Sequence, residues 1–309
     1  MVLAFVFPGQ GSQTAGMGAD LASTWPVCAQ TFAEADETLG FALSKICFTG
    51  TDQELQMTAN AQPAILTTSI AAFRVLAAEG IRPAAVAGHS LGEYSALVAA
   101  GSLSFRDALT LVRKRGIYMQ EAVPLGVGAM AAIMGLELEQ LEQICRAASD
   151  KTTVSPANLN APGQVVISGH ANAVDRAIAL AQERGARRAL KLAVSAPFHC
   201  DLMQPAADRL AADLAATRFD DLTVPLVANI SAAPLRTGSE ARDALLRQVT
   251  GAVRWEQSVR TLASMGVTRA LEVGPGRVLM GLIKRIESSI ACAPAGDAAT
   301  LTTAKEFAA

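Results

Sequence analysis

The chain has 309 residues, 51% hydrophobic and 17% charged, with 26 Lys+Arg against 28 Asp+Glu and a formal net charge of −2. Apolar content this high with so little charge excludes an intrinsically disordered chain, and the length allows one large domain or two modest ones. The near-neutral balance and an aromatic content of only 5% exclude a nucleic-acid surface built on phosphate contacts and base stacking.

Val2–Phe7 is a continuous apolar run stopped by Pro8-Gly9, which reads as a buried parallel strand and lacks the basic flank of a signal peptide. Pro63–Gly80 carries apolar residues at helical spacing and ends on a glycine. Ala84–Ala87 reads as a second buried strand and Ser95–Ala100 as helix, and Ser104 is placed to N-cap a helix over Ser104–Glu121. The longest apolar stretch, Leu125–Leu136, has 12 residues, short of the ~20 that span a bilayer, so no membrane partner is expected.

The pattern then changes. Gly128–Met134 reads as a strand, Glu137–Ser149 as a helix and Thr153–Leu159 as a strand. After the Ala161-Pro162-Gly163 turn come a strand at Gln164–Ser168, a helix at Ala171–Arg184 and a strand at Arg187–Val194. This β-α-β-β-α-β order is ferredoxin-like. Residues 126–195 are therefore expected to form a small subdomain inserted into a larger α/β body of residues 1–125 and 196–309. Beyond it the pattern predicts a helix near Leu202–Ala216, a strand at Val224–Asn229, helices at Ser239–Thr250 and Trp255–Met265, and a strand at Arg269–Val273. The tail from Pro294 is small and polar and is expected to be loose.

Five scattered cysteines (Cys28, Cys47, Cys145, Cys200, Cys292) contain no C-x-x-C, and there are three histidines. Neither a disulfide framework nor a metal site is expected, and a reducing cytoplasm is the natural compartment.

Chemistry concentrates in Ala84–Gly101, where Gly88-His89-Ser90-Leu91-Gly92 fits G-x-S-x-G between a strand and a helix. That context exposes the Ser90 hydroxyl on a sharp turn at a helix N-terminus, which favours developing negative charge. The plainer alternative is an ordinary Gly-Ser turn. A serine nucleophile needs a base. His170 follows a turn in the small subdomain and reads as a surface residue, and His89 sits beside Ser90 but on the neighbouring position of the turn. His199, in Ser195-Ala196-Pro197-Phe198-His199, has an apolar, proline-fixed approach that suits a positioned base; a buried structural histidine is its alternative.

Phe7-Pro8-Gly9-Gln10-Gly11-Ser12-Gln13, Gly88-His89-Ser90-Leu91-Gly92-Glu93-Tyr94, Pro197-Phe198-His199 and Glu272-Val273-Gly274-Pro275-Gly276 together resemble the signature set of malonyl-CoA:acyl-carrier-protein transacylases. These acyltransferases load extender units in fatty-acid synthesis, and polyketide synthase acyltransferase domains are similar. The resemblance implies an α/β-hydrolase-like body with a parallel sheet and an inserted ferredoxin-like subdomain. It implies that Ser90 takes the malonyl group from malonyl-CoA and yields it to the pantetheine thiol of holo acyl carrier protein. His199 would serve as base and then acid, oriented by a backbone carbonyl at Gln248, and the amides of Gln10 and Leu91 would form the oxyanion hole.

Malonyl carries a carboxylate, and the Arg115-Gly116-x-x-Met119-Gln120 pattern matches the family's carboxylate binder. On a helix, Arg115 has Leu111, Val112, Tyr118 and Met119 at i±3 and i±4, so it is the member of Arg113-Lys114-Arg115 most directed inward. A solvated basic face is the alternative. Asn160 matches a cleft-facing segment of the family, or else simply initiates the Ala-Pro-Gly turn. Phe198 matches a position associated with malonyl selection. No cofactor is implied, because the coenzyme A thioester is the substrate. A cytoplasmic monomer is expected. The rivals are an acyltransferase of a polyketide or malonate-decarboxylase pathway, a serine esterase or thioesterase, and an inactive scaffold.

Overall fold

The computed structural model describes residues 2–194 and 196–308; Ser195, where the expected subdomain ends, lies outside the described residues, as do Met1 and Ala309. The chain opens with β1 (Leu3–Phe7), α1 (Ala19–Thr24), α2 (Pro26–Leu39), α3 (Leu43–Thr49), α4 (Asp52–Gln56) and α5 (Thr58–Ala78). It continues with β2 (Ala85–Gly88), α6 (Gly92–Ala99) and α7 (Phe105–Glu121). The middle comprises β3 (Gly128–Met134), α8 (Leu138–Ala148), β4 (Val154–Ala161), β5 (Gln164–His170), α9 (Ala171–Glu183) and β6 (Arg188–Lys191). Then come α10 (Gln204–Ala216), β7 (Leu226–Val227), β8 (Pro234–Leu235), α11 (Gly238–Gln248) and α12 (Trp255–Ser264). The last elements are β9 (Arg269–Val273), α13 (Val278–Ile286), β10 (Ala291–Ala295) and α14 (Ala298–Ala308).

Two sheets result. The larger has the order β10-β9-β1-β2-β7-β8, with every pair parallel except β7–β8. Both faces of β1 are covered: Leu3, Phe5 and Phe7 join the core under α5 and α7, while Ala4 and Val6 join a second core with Trp255 and Leu279. A strand buried on both faces must read as an unbroken apolar run, which is how Val2–Phe7 reads. The smaller sheet is antiparallel, in the order β4-β5-β3-β6, and packs α8 and α9 on one face around its own core. The fold is thus α/β with a parallel sheet and a separate antiparallel one in ferredoxin-like order. The two meet where Leu159 donates its amide to Val253 and Val253 donates to Ala157.

The local signals explain several boundaries. Ser104 accepts the Asp107 amide at 3.0 Å and starts α7 as an N-cap. The helix expected from Pro63 begins five residues earlier, at Thr58, with Pro63 inside it. Proline removes the bond its amide would have made to the carbonyl of Ala59, and that carbonyl instead accepts Arg113. By length and composition α5 is also long and apolar enough to cross a membrane, although its interspersed polar residues keep it from being an unbroken apolar run; 78% of its apolar window is buried inside the fold.

The tail is not loose, correcting that expectation. β10 pairs with β9, and α14 follows, its Leu301 and Ala304 fully buried. Asp297 accepts the Thr300 amide at 2.7 Å and secures the start of α14. Its small side chains permit close approach to the sheet, a property that composition alone disguised as looseness.

Candidate active site

β1 and β2 lie side by side, with β9 on the other flank of β1, so the crevice at their carboxyl ends is where an open parallel sheet binds ligands. The turn after β2 carries Ser90 at φ +51°, a left-handed conformation rare for a residue with a side chain. Packing enforces it. A Cβ on Gly88 would lie 1.9 Å from the Gly92 carbonyl carbon, and one on Gly92 would lie 2.0 Å from the Phe7 carbonyl oxygen. Only glycines let strand, turn and helix approach this closely.

Ser90 Oγ lies 2.7 Å from His199 Nε2. His199 also has a left-handed backbone, at φ +60°, so strain collects at both members of the pair. On the far side of the ring, Nδ1 lies 2.9 Å from the Gln248 carbonyl and 3.2 Å from the Gly251 carbonyl. Carbonyls only accept, so Nδ1 carries the proton and Nε2 presents its lone pair to the serine hydroxyl. Among the described residues, no carboxylate bonds this imidazole. Burial, and after it the nearby Arg115 charge, lowers its pKa from 6.5 to about 3.

That depression has a sign that can be tested. The basic form of His199 persists as the pH falls below 6.5, so its contribution to folding stability is present above that value and is lost progressively as the pH falls toward 3. Labelling of Ser90 by a fluorophosphonate is therefore expected to stay level from about pH 8 to about pH 5. A half-fall near pH 6.5 would show an imidazole titrating normally.

Arg115 projects from α7 and is 2% exposed. Its Nη1 donates to Gln62 Oε1 at 2.7 Å, and its Nη2 donates to Gln248 Oε1 at 2.9 Å and to Ser90 Oγ at 3.2 Å. Its Nε has no partner among the described residues. Each acceptor is neutral, so among the described residues a buried guanidinium stands beside the serine with no carboxylate hydrogen-bonded to it. Arg113 and Lys114 go elsewhere: Arg113 bonds Asn60 and stacks over Phe41, and Lys114 pairs with Asp213.

Among the described residues, the amides of Gln10 and Leu91 donate to no acceptor of the chain. The Gln10 side chain donates to Thr58 Oγ1 at 3.2 Å. Asn160 meets His89 rather than Ser90, its Oδ1 lying 2.8 Å from His89 Nε2. His170 stands apart, at the start of α9, accepting the Thr153 amide. Gln10, Asn160 and Phe198 line a cleft of about 630 Å³ that also exposes Ser90, Arg115 and His199. Met130, Asn158 and Val166 bring the small sheet to the same cleft.

Four further residues hold the site together. Gln62 holds Arg115, and Gly251 supplies the second carbonyl for His199. Asn229 spans the turn, accepting the Ser90 amide at 2.7 Å and donating to the Gly88 carbonyl at 2.6 Å. Glu93, 1% exposed, accepts from the Asn229 amide and the Gln248 side chain. Burial pushes its carboxyl up to about 7, against the lowering effects of Gln248, Asn229 and Arg115. Glu93 alone had a signal, its place in the Gly88–Tyr94 segment. Glu272, from the Glu272–Gly276 segment, works away from the serine. It accepts the Leu279 and Met280 amides at the start of α13, whose Val278 and Leu282 edge the cleft. Among the described residues no cluster of His, Cys, Asp and Glu is arranged to hold a metal ion.

A family profile described as acyl transferase domain matches residues 4–303. The malonyl CoA-acyl carrier protein transacylase of Escherichia coli K12 is 50% identical over 305 residues, covering 98% of this chain and 99% of that one. The crystal structure of an acyl carrier protein S-malonyltransferase from Vibrio cholerae superposes with a TM-score of 0.96 at 47% identity, covering 98% of this chain and 100% of the other. A malonyl-transacylase solved in complex with its type II PKS acyl-carrier protein superposes with a TM-score of 0.97 at 48% identity, covering 99% of this chain and 100% of that chain. The chain belongs to the acyl transferase domain family and, within it, to the malonyl CoA-acyl carrier protein transacylases.

Proposed function

We propose that this protein transfers the malonyl group from malonyl-CoA to the phosphopantetheine thiol of acyl carrier protein in fatty-acid synthesis, through a malonyl ester on Ser90. Ser90 Oγ attacks the thioester carbon and gives its proton to His199 Nε2. The Gln248 and Gly251 carbonyls stabilise the resulting imidazolium through its Nδ1–H. The oxyanion is held by the Gln10 and Leu91 amides. Collapse breaks the C–S bond, and the imidazolium returns the proton to the departing coenzyme A sulfur. The carrier thiol then attacks the ester, giving its proton to His199, which passes it to the Ser90 oxygen as that oxygen leaves.

The observation that carries the reading is Arg115, a buried guanidinium whose hydrogen-bond acceptors among the described residues are all neutral, and which lies 3.2 Å from the nucleophile. Glu93, the buried carboxyl one amide away, does not reach the guanidinium, so a cation so placed suits an anion on the acyl group itself, and malonyl carries one, one methylene from its thioester carbon. A bound carboxylate also offsets the charge that weakens His199 as a base. An esterase or thioesterase acting on neutral acyl chains has no use for such a cation. Asn160 and Phe198 bound the acyl side of the cleft.

In this reading residues 1–125 and 196–309 form the catalytic body, and residues 126–195 a subdomain whose sheet faces the acyl group. The chemistry needs no cofactor beyond the coenzyme A thioester, and the protein acts as a cytoplasmic monomer. The test is intact-protein mass spectrometry after brief mixing with malonyl-CoA. A malonyl adduct on the Ser90 peptide that moves to reduced carrier protein is expected. Decay to free malonate with the carrier unloaded would replace this reading with hydrolysis.

A further inference from the structure

Glu93 lies at the site, yet the chemistry above leaves it unused. Its carboxylate is divided between two donors: Oε1 accepts the Asn229 amide at 3.1 Å and Oε2 accepts the Gln248 side-chain amide. The same Gln248 nitrogen donates to the Ser90 carbonyl at 2.9 Å, so both of its N–H groups are committed. Its oxygen is left to face Arg115 Nη2, at 2.9 Å. A flipped amide would set N–H against guanidinium and oxygen against both the Glu93 carboxylate and the Ser90 carbonyl. Because both Glu93 oxygens accept N–H groups, position 93 decides which end of the amide Arg115 meets.

The brace extends to the turn itself. The Asn229 amide held by Glu93 belongs to the residue whose side chain spans Gly88 and Ser90. We infer that Glu93 is a positioning residue for acyl selection: by orienting the Gln248 side-chain amide it holds the Arg115 guanidinium beside Ser90. This rests on the proposed role of Arg115 as carboxylate binder.

The experiment compares Ser90 acylation by malonyl-CoA and acetyl-CoA in Glu93→Gln, Gln248→Met, the double variant and Arg115→Ala. Glu93→Gln keeps the shape but turns one acceptor into a donor, and Gln248→Met removes the amide while keeping the carbonyl that His199 uses. Each is expected to lower the malonyl preference on the order of tenfold, and the double variant no further. An unchanged preference in Glu93→Gln, or losses that add in the double variant, overturns the inference. If Glu93→Gln does not fold, Gln248→Met decides, and an unchanged preference there overturns it equally. If Arg115→Ala destroys the preference while Glu93→Gln keeps it, only the role of Glu93 has failed. If Arg115→Ala keeps it, the carboxylate-binding role of Arg115 has failed, and that of Glu93 with it.

Discussion

Ser90→Ala is expected to abolish acyl-enzyme formation and to lower transacylation by about 10⁴- to 10⁶-fold, the range seen when a serine nucleophile or its partners are removed. The fold should survive. The bonds that brace this turn use the backbone of Ser90, its amide donating to Asn229 Oδ1 and its carbonyl accepting from Gln248 Nε2, and an alanine keeps both. Among the described residues the hydroxyl meets His199 Nε2 and Arg115 Nη2, at the edge of an open cleft, so its loss costs about 1 kcal/mol. Intact mass after mixing with malonyl-CoA, read beside a thermal unfolding curve, separates the two effects. An adduct that persists in the variant would assign the nucleophile elsewhere.

The second large effect belongs to Arg115. Arg115→Ala should weaken acylation by malonyl-CoA far more than by acetyl-CoA, because only the former brings a carboxylate. Truncating one partner of a buried charge pair costs about 2–5 kcal/mol, so the malonyl preference should fall between about 30-fold and 5,000-fold. Arg115→Lys retains the charge but not the planar fork, whose Nη1 and Nη2 reach Gln62 and Gln248 at once, and should recover only part of the preference. Competition between the two thioesters, read as the ratio of kcat/KM values, measures this directly. Equal losses for both would remove Arg115 from the carboxylate role.

The site was partly legible because some of its requirements are local. Ser90 is flanked by glycines because the chain passes so close to itself there, and such crowding leaves a mark within five residues. Arg115 stood out from Arg113 and Lys114 through its neighbours one helical turn away, and the three side chains do separate as that spacing implies. His199 was singled out by scarcity and by its proline-fixed approach. That its ring meets the Gln248 carbonyl had no local signal and was carried by resemblance alone.

What the sequence by itself determined is what short-range physics dictates. Runs such as Leu3–Phe7 had to be buried strands, Ser104 had to start a helix, and the order from Gly128 to Lys191 fitted a four-stranded antiparallel sheet. What only the tertiary structure decided are the partners that fold in from afar. Asn229 reaches Ser90 across 139 positions, Glu93 reaches Gln248 across 155, and Gln62 reaches Arg115 across 53. Hydrogen bonds of that range leave no periodicity, because each residue looks like an ordinary polar side chain until the other arrives. The same holds for the C-terminal alanines and threonines, which carry no strong pattern of their own and become strand and helix because β9 offers an edge to pair with and a surface to cover.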